Sequence, residues 1–111
     1  MHIETADDGR VTVLSAEGDL ILGPPETAFK RKIDELLEQG RVQLLVDLSA
    51  VRYVDSSGLG ALVYALTETQ NEGGQTKLLN AGPRIVKLLE ITKLNSIFEI
   101  YDDREAAVSS F

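Results

Sequence analysis

The chain has 111 residues, 43% of them apolar, which suits one hydrophobic core without disulfides or metals, so residues 1–111 are expected to form a single domain. Eighteen acidic residues against eleven basic ones give a net charge of −7, the wrong sign for a nucleic-acid groove or an anionic membrane surface. There is no cysteine, which removes disulfides, thiolate catalysis and cysteine metal sites, and no apolar run or signal-like leader suggests a membrane, so a soluble cytoplasmic protein is expected.

The first predicted element is a hairpin. A short strand near residues 2 to 5 precedes the turn residues Asp7-Asp8-Gly9, and a second strand follows from Val11 to Ala16. Gly23-Pro24-Pro25 then opens a helix, with Pro25 suited to its first turn. Phe29, Ile33, Leu36 and Leu37 fall on one helical face, Glu26 and Lys30 are placed to pair on the solvent side, and Gly40 stops the helix. Residues 42 to 48 are almost continuously apolar, the pattern of a central strand covered on both faces, and Asp47 within them reads as a strand-end acid bonding loop amides.

A short loop and a new helix are expected next, at Asp55-Ser56-Ser57-Gly58-Leu59-Gly60, with Leu59, Leu62, Val63 and Leu66 facing the core and Asn71 to Gly74 ending the helix. A strand over Thr76 to Asn80 follows, then Gly82-Pro83 and a short amphipathic helix carrying Ile85, Val86, Leu88 and Leu89. A last strand is read over Ile97 to Tyr101, and Asp102-Asp103 caps a terminal helix containing Ala106, Ala107 and Val108. Alternating strands and helices from residue 42 onward imply right-handed parallel crossovers. The expected fold class is therefore α/β: a mixed, mostly parallel sheet with an N-terminal antiparallel hairpin and about four helices.

The segment from Asp55 to Gly60 breaks local rules. Gly58 and Gly60 each disfavour helix by about 1 kcal/mol relative to alanine, and Asp55, Ser56 and Ser57 are three successive candidate caps where one is enough. Plain capping accounts for one of them. The spare hydroxyls, and a first turn stripped of side chains, read instead as a place where another protein approaches the backbone, with Gly58 favoured for that role and Gly60 left open as a packing glycine. A helix N-terminus tolerates an anion, so a phosphate on Ser56 would leave the domain folded while adding about −1.5 to −2 charge beside Asp55.

Enzyme chemistry finds little support. His2 is the only histidine, and no Gly-x-Ser-x-Gly elbow is present for a serine hydrolase. The glycines match neither a P-loop nor a dinucleotide fingerprint. Asp47 and Asp55 are too weak a pair to argue for magnesium, so no catalytic residue, metal or cofactor is expected.

Val46-Asp47-Leu48-Ser49 followed by Val54-Asp55-Ser56-Ser57-Gly58-Leu59-Gly60, together with Gly18-Asp19-Leu20, resembles STAS domains, specifically the stand-alone bacterial anti-sigma factor antagonists, and the resemblance extends over essentially the whole chain. It implies a binding module rather than an enzyme. The unmodified form would bind an anti-sigma factor serine kinase and so free a sigma factor, phosphorylation of Ser56 would dissolve that complex, and a metal-dependent serine phosphatase would restore it. Asp55, Ser57 and Gly58 would flank the docking surface, and Asp19 would lie on the neighbouring loop. The chain departs from the family pattern at Ile21, where a second acid is common, and Ile21-Leu22 is expected to pack against the first helix. The alternative is a non-switching STAS adaptor or scaffold subunit in a larger signalling or lipid-transport complex.

Overall fold

The computed structural model describes residues 1–111. The elements follow in the order β1 (His2–Asp8), β2 (Val11–Leu20), α1 (Pro24–Glu38), β3 (Gln43–Val54), α2 (Ser56–Asn71), β4 (Gln75–Leu79), α3 (Pro83–Ile91), a 3-10 turn (Leu94–Ser96), β5 (Ile100–Tyr101) and α4 (Arg104–Ser109). The five strands form one sheet in sequence order, with β1 and β2 antiparallel and every later neighbour parallel. The α/β class, the hairpin at one side and the four helices all match expectation.

Alternation along the strands distributes the core to two faces. Leu14, Ala16, Leu44, Val46, Leu48 and Leu78 join Phe29 and Ile33 of α1, Leu59, Leu62 and Ala65 of α2, and Ile85 and Leu89 of α3 in the main cluster. The intervening residues Val11, Val13, Leu45 and Leu79 face the other way, where Ala107 of α4 covers them. This is why residues 44 to 46 read as an unbroken apolar run: both faces of the central strand are dry.

Local chemistry sets several element ends. The hairpin turns at Gly9-Arg10, with Gly9 at φ +65, so β1 extends past the expected residue 5 and Asp8 pairs with Val11. At the end of α1 the Arg41 amide donates to the Leu36 carbonyl and the Gly40 amide to the Leu37 carbonyl, with Gly40 at φ +76, the double bond of a Schellman stop. Glu26 and Lys30 pair at 3.0 Å. Asp103 caps α4 by accepting from the Ala106 amide at 2.9 Å.

Three expectations are corrected. The central strand does not stop at residue 48 but runs to Val54, because β2 stays alongside it through two bulges: Ser15 to Glu17 spans two steps where Asp47 to Ala50 spans three, and Gly18 to Leu20 repeats the mismatch against Val51 to Val54. Asp47 sits at the first bulge, where its carboxylate accepts from the Ser49 amide at 3.0 Å, so the acid satisfies strand irregularity rather than a strand-end loop. The last strand shrinks to Ile100–Tyr101, since Phe98 turns into the core and only two residue pairs join β5 to β4.

Candidate functional site

The lengthened β3 reduces the expected serine loop to a single residue. Val54 still pairs with Leu20, Asp55 is the N-cap of α2, and Ser56 is already its first helical residue. The site therefore lies at the carboxyl ends of parallel strands, the edge of an open α/β sheet where binding surfaces concentrate.

Asp55 performs two tasks. One carboxylate oxygen accepts from the Gly58 amide at 2.8 Å, and the other accepts from the Leu22 amide at 3.0 Å. The first bond caps the helix, and the second ties the segment between β2 and α1 to the same residue. These two amides, Leu22 the stronger, hold the Asp55 carboxyl below its ordinary pKa despite some opposing desolvation, so it carries its charge throughout the neutral range. Of the three candidate caps, Asp55 is the one used. Ser56 is exposed and Ser57 half-buried, and neither hydroxyl makes a hydrogen bond within the chain, so both remain available.

The packing role falls to Gly58, which was expected to face a partner, and not to Gly60, for which it was left open. Gly58 is buried, and a Cβ there would stand 1.9 Å from the Leu20 carbonyl oxygen, so it is bare because α2 crosses the end of β2 in contact with backbone. Gly58 thus serves packing, and it offers a partner no open face. Gly60 is exposed and a Cβ on it would meet nothing within 4 Å, which closes the packing option left open for it. Helical phase carries the missed signal: Gly58 lies one turn before the buried Leu62, whereas Gly60 lies one turn before the half-exposed Tyr64.

Asp19 is half-buried at the end of β2, and Arg52 of β3 stands 4.0 Å from one of its carboxylate oxygens, beyond hydrogen-bond reach. Asp19, Asp55, Ser56 and Ser57 all come from the adjoining ends of β2, β3 and the start of α2. Ile21 is half-buried beside them, but Leu22 is 69% exposed, so the pair does not pack away against α1 as expected. The Asp55 tether explains this: pinning the Leu22 amide inward turns its side chain to solvent. Tyr53, 50% exposed, is a further residue at this edge that sequence reasoning did not single out.

No group of three or more His, Cys, Asp and Glu side chains is placed to hold a metal ion. No helix is long and apolar enough to cross a membrane.

Comparison with known proteins gives a consistent result. The model of the STAS domain matches residues 2–107. The chain is 34% identical over 95 residues to the anti-sigma-B factor antagonist of Bacillus subtilis (strain 168), covering 86% of this chain and 84% of that protein. A crystal structure of a Thermotoga maritima protein superposes with a TM-score of 0.91 at 27% identity, covering 97% of this chain and 92% of the other. SpoIIAA, an anti-sigma factor antagonist solved in its unphosphorylated form, superposes with a TM-score of 0.75 at 21% identity over 98% of this chain and 96% of its own, a likeness of fold.

Proposed function

The chain belongs to the STAS domain family, and on that premise we propose that it is an anti-sigma factor antagonist switched by phosphorylation of Ser56. The observation that carries the reading is the division of labour at α2: Asp55 alone caps the helix, leaving the Ser56 hydroxyl exposed and unbonded in the first turn. A residue engaged in capping could not be esterified without damage to the helix. Ser56 can be.

In the unmodified state the edge formed by Asp19, Asp55, Ser56 and Ser57 docks an anti-sigma factor that is also an ATP-using serine kinase, and its sigma factor is released. Transfer of the γ-phosphoryl group to the Ser56 oxygen places about −1.5 to −2 charge next to the ionised Asp55. The helix N-terminus accommodates that charge without unfolding, while the kinase surface is repelled by it. A serine phosphatase removes the group and resets the cycle. This chain supplies the accepting hydroxyl and the docking edge, with no catalytic step of its own, and a cytoplasmic location follows from such partners. Gly58 acts here through the backbone: it lets α2 sit close enough to Leu20 for Ser56 to be held at the edge.

The test is incubation with the cognate kinase and ATP. One phosphate is expected by mass, absent in Ser56→Ala and retained in Ser57→Ala. Ser56→Glu is expected to fold with the stability of the parent and to bind the kinase at least tenfold more weakly, about 1.4 kcal/mol. No phosphate transfer from a kinase active on another antagonist would favour the adaptor reading, and a Ser56→Glu variant of normal affinity would refute electrostatic exclusion.

A further inference from the structure

α3 carries a surface that adjoins the Ser56 edge and shares only Tyr53 and Val54 with it. Arg84, Lys87, Leu88 and Ile91 recur at i, i+3, i+4 and i+7, so they form one stripe along the helix. With Tyr53 and Val54 from the end of β3, that stripe bounds an open groove of about 210 Å³. Its apolar part is in solvent, with Ile91 68% exposed.

Its rim is positively charged in an acidic protein. Six of the eleven Lys and Arg side chains have a carboxylate within 4.0 Å: Lys30 with Glu26, Lys32 with Glu35, Arg41 with Asp7, Lys77 with Glu99, Arg104 with Asp8 and, at that limit, Arg52 with Asp19. Arg84 and Lys87 are exposed and have no carboxylate within 4.0 Å, and the same holds for Lys93 two residues past the helix. Glu90, the one acid on α3, is not part of the groove. Arg10 in the hairpin turn and Arg31 on α1 also have no carboxylate within 4.0 Å, but neither shares its element with a large exposed apolar side chain, as Arg84 and Lys87 do with Ile91.

We propose that this groove docks an acidic, amphipathic helical segment of a partner protein, its apolar side chains seated between Tyr53 and Ile91 and its carboxylates on Arg84 and Lys87. The sign of the rim selects the acid. The size selects a protein over a small molecule, since enclosed ligand sites run to about 300–1,000 Å³ whereas this open groove matches one or two anchoring side chains of an interface. A second copy meeting the groove about a two-fold axis would set Arg84 and Lys87 against their own equivalents, a like-charge contact. Nothing in this assignment depends on the modification of Ser56.

The probe is a 14-residue amphipathic peptide with leucine and phenylalanine on one face and glutamate on the other, titrated into the full ¹⁵N-labelled chain. Saturable amide shifts are expected at Tyr53, Val54 and residues 84–93, with at least tenfold weaker binding when every glutamate of the peptide is lysine. Lys87→Glu and Ile91→Ser, both at exposed positions, are each expected to weaken binding at least tenfold while leaving the unfolding midpoint unchanged. Shifts that are absent or scattered over the surface would overturn the proposal, as would equal binding of the lysine peptide. Sedimentation showing a dimer abolished by Ile91→Ser would reassign the groove to a second copy, and tighter binding to phosphatidylglycerol vesicles than to the peptide would reassign it to a membrane; either result overturns the proposal.

Discussion

Gly58 and Gly60 stand two residues apart at the start of α2, yet a methyl group is expected to affect them in opposite directions. On Gly58 the new Cβ would lie 1.9 Å from the Leu20 carbonyl oxygen and 2.8 Å from its carbon, where atoms in comfortable contact sit about 3.5 Å apart. Both obstacles are backbone, and Leu20 is fully buried and paired with Val54, so no side chain can rotate aside. The helix has to lift from the sheet instead. Overpacking of this kind costs about 1–3 kcal/mol, and more where backbone must move. Taking about 3 kcal/mol and offsetting the 1 kcal/mol or so by which alanine outranks glycine in a helix leaves Gly58→Ala destabilised by about 2 kcal/mol. At about 4 °C per kcal/mol for a domain of this length, Tm falls by about 8 °C. Gly60 has open space around it, so only the propensity gain remains, about 0.5–1 kcal/mol and a rise of roughly 2–4 °C. Urea and thermal unfolding of both variants, followed by circular dichroism in one buffer, check the pair. Stabilisation by Gly58→Ala, or the same sign in both, would refute the packing assignment.

Acid pH and the C-terminal segment offer two further checks. Because the Leu22 and Gly58 amides depress the Asp55 pKa, its contribution is complete above the unfolded value of about 4 and is lost as pH falls through the lower folded value. The stability gap between the parent and Asp55→Ala is therefore expected to hold steady above about pH 5 and to narrow below about pH 4, by urea unfolding at stepped pH; a gap indifferent to pH would count against the charge. Lys77, whose side chain is 4% exposed, donates to the Ser110 carbonyl at 2.8 Å and Ser110 Oγ at 2.9 Å and faces Glu99 at 3.3 Å. Lys77→Met keeps the apolar stem but loses these charged bonds, so a loss of about 2 kcal/mol and faster hydrogen exchange over residues 104–111 are expected; unchanged exchange there would show that the lysine does not anchor the segment.

Much of this fold was legible because its determinants are local. The hairpin follows from alternation and turn residues, the buried faces of α1 and α2 follow from helical spacing, and Asp103 acts as the cap its position suggests. What escaped were features decided by distant neighbours. The end of β3 was hidden because exposed Ser49, Ala50, Arg52 and Tyr53 break the apolar pattern, and only the bulged partnership with β2 keeps that stretch in the sheet. Two identical glycines gave no hint from composition of which one meets Leu20. Gly74, taken as part of a helix end, is similarly bare because the Val42 carbonyl oxygen lies 2.0 Å from where its Cβ would be, while its neighbour Gly73 at φ +82 makes the stop. The serine pair and its acid were visible at once, but the allocation of tasks among them was not, since it depends on where β3 ends.

The clasp that Asp55 makes between two stretches of chain separated by thirty-three positions has a bearing on how any visitor is received. A surface fastened in this way is preformed, so an incoming protein spends little of its binding energy on freezing loose segments, an expense of about 0.5–1.5 kcal/mol for each immobilised side chain. Affinity at such a corner is governed by what atoms it presents at a given moment. On the proposed reading, one added ester group would then act as an on-or-off instruction, with no slow rearrangement standing between the chemical event and its readout.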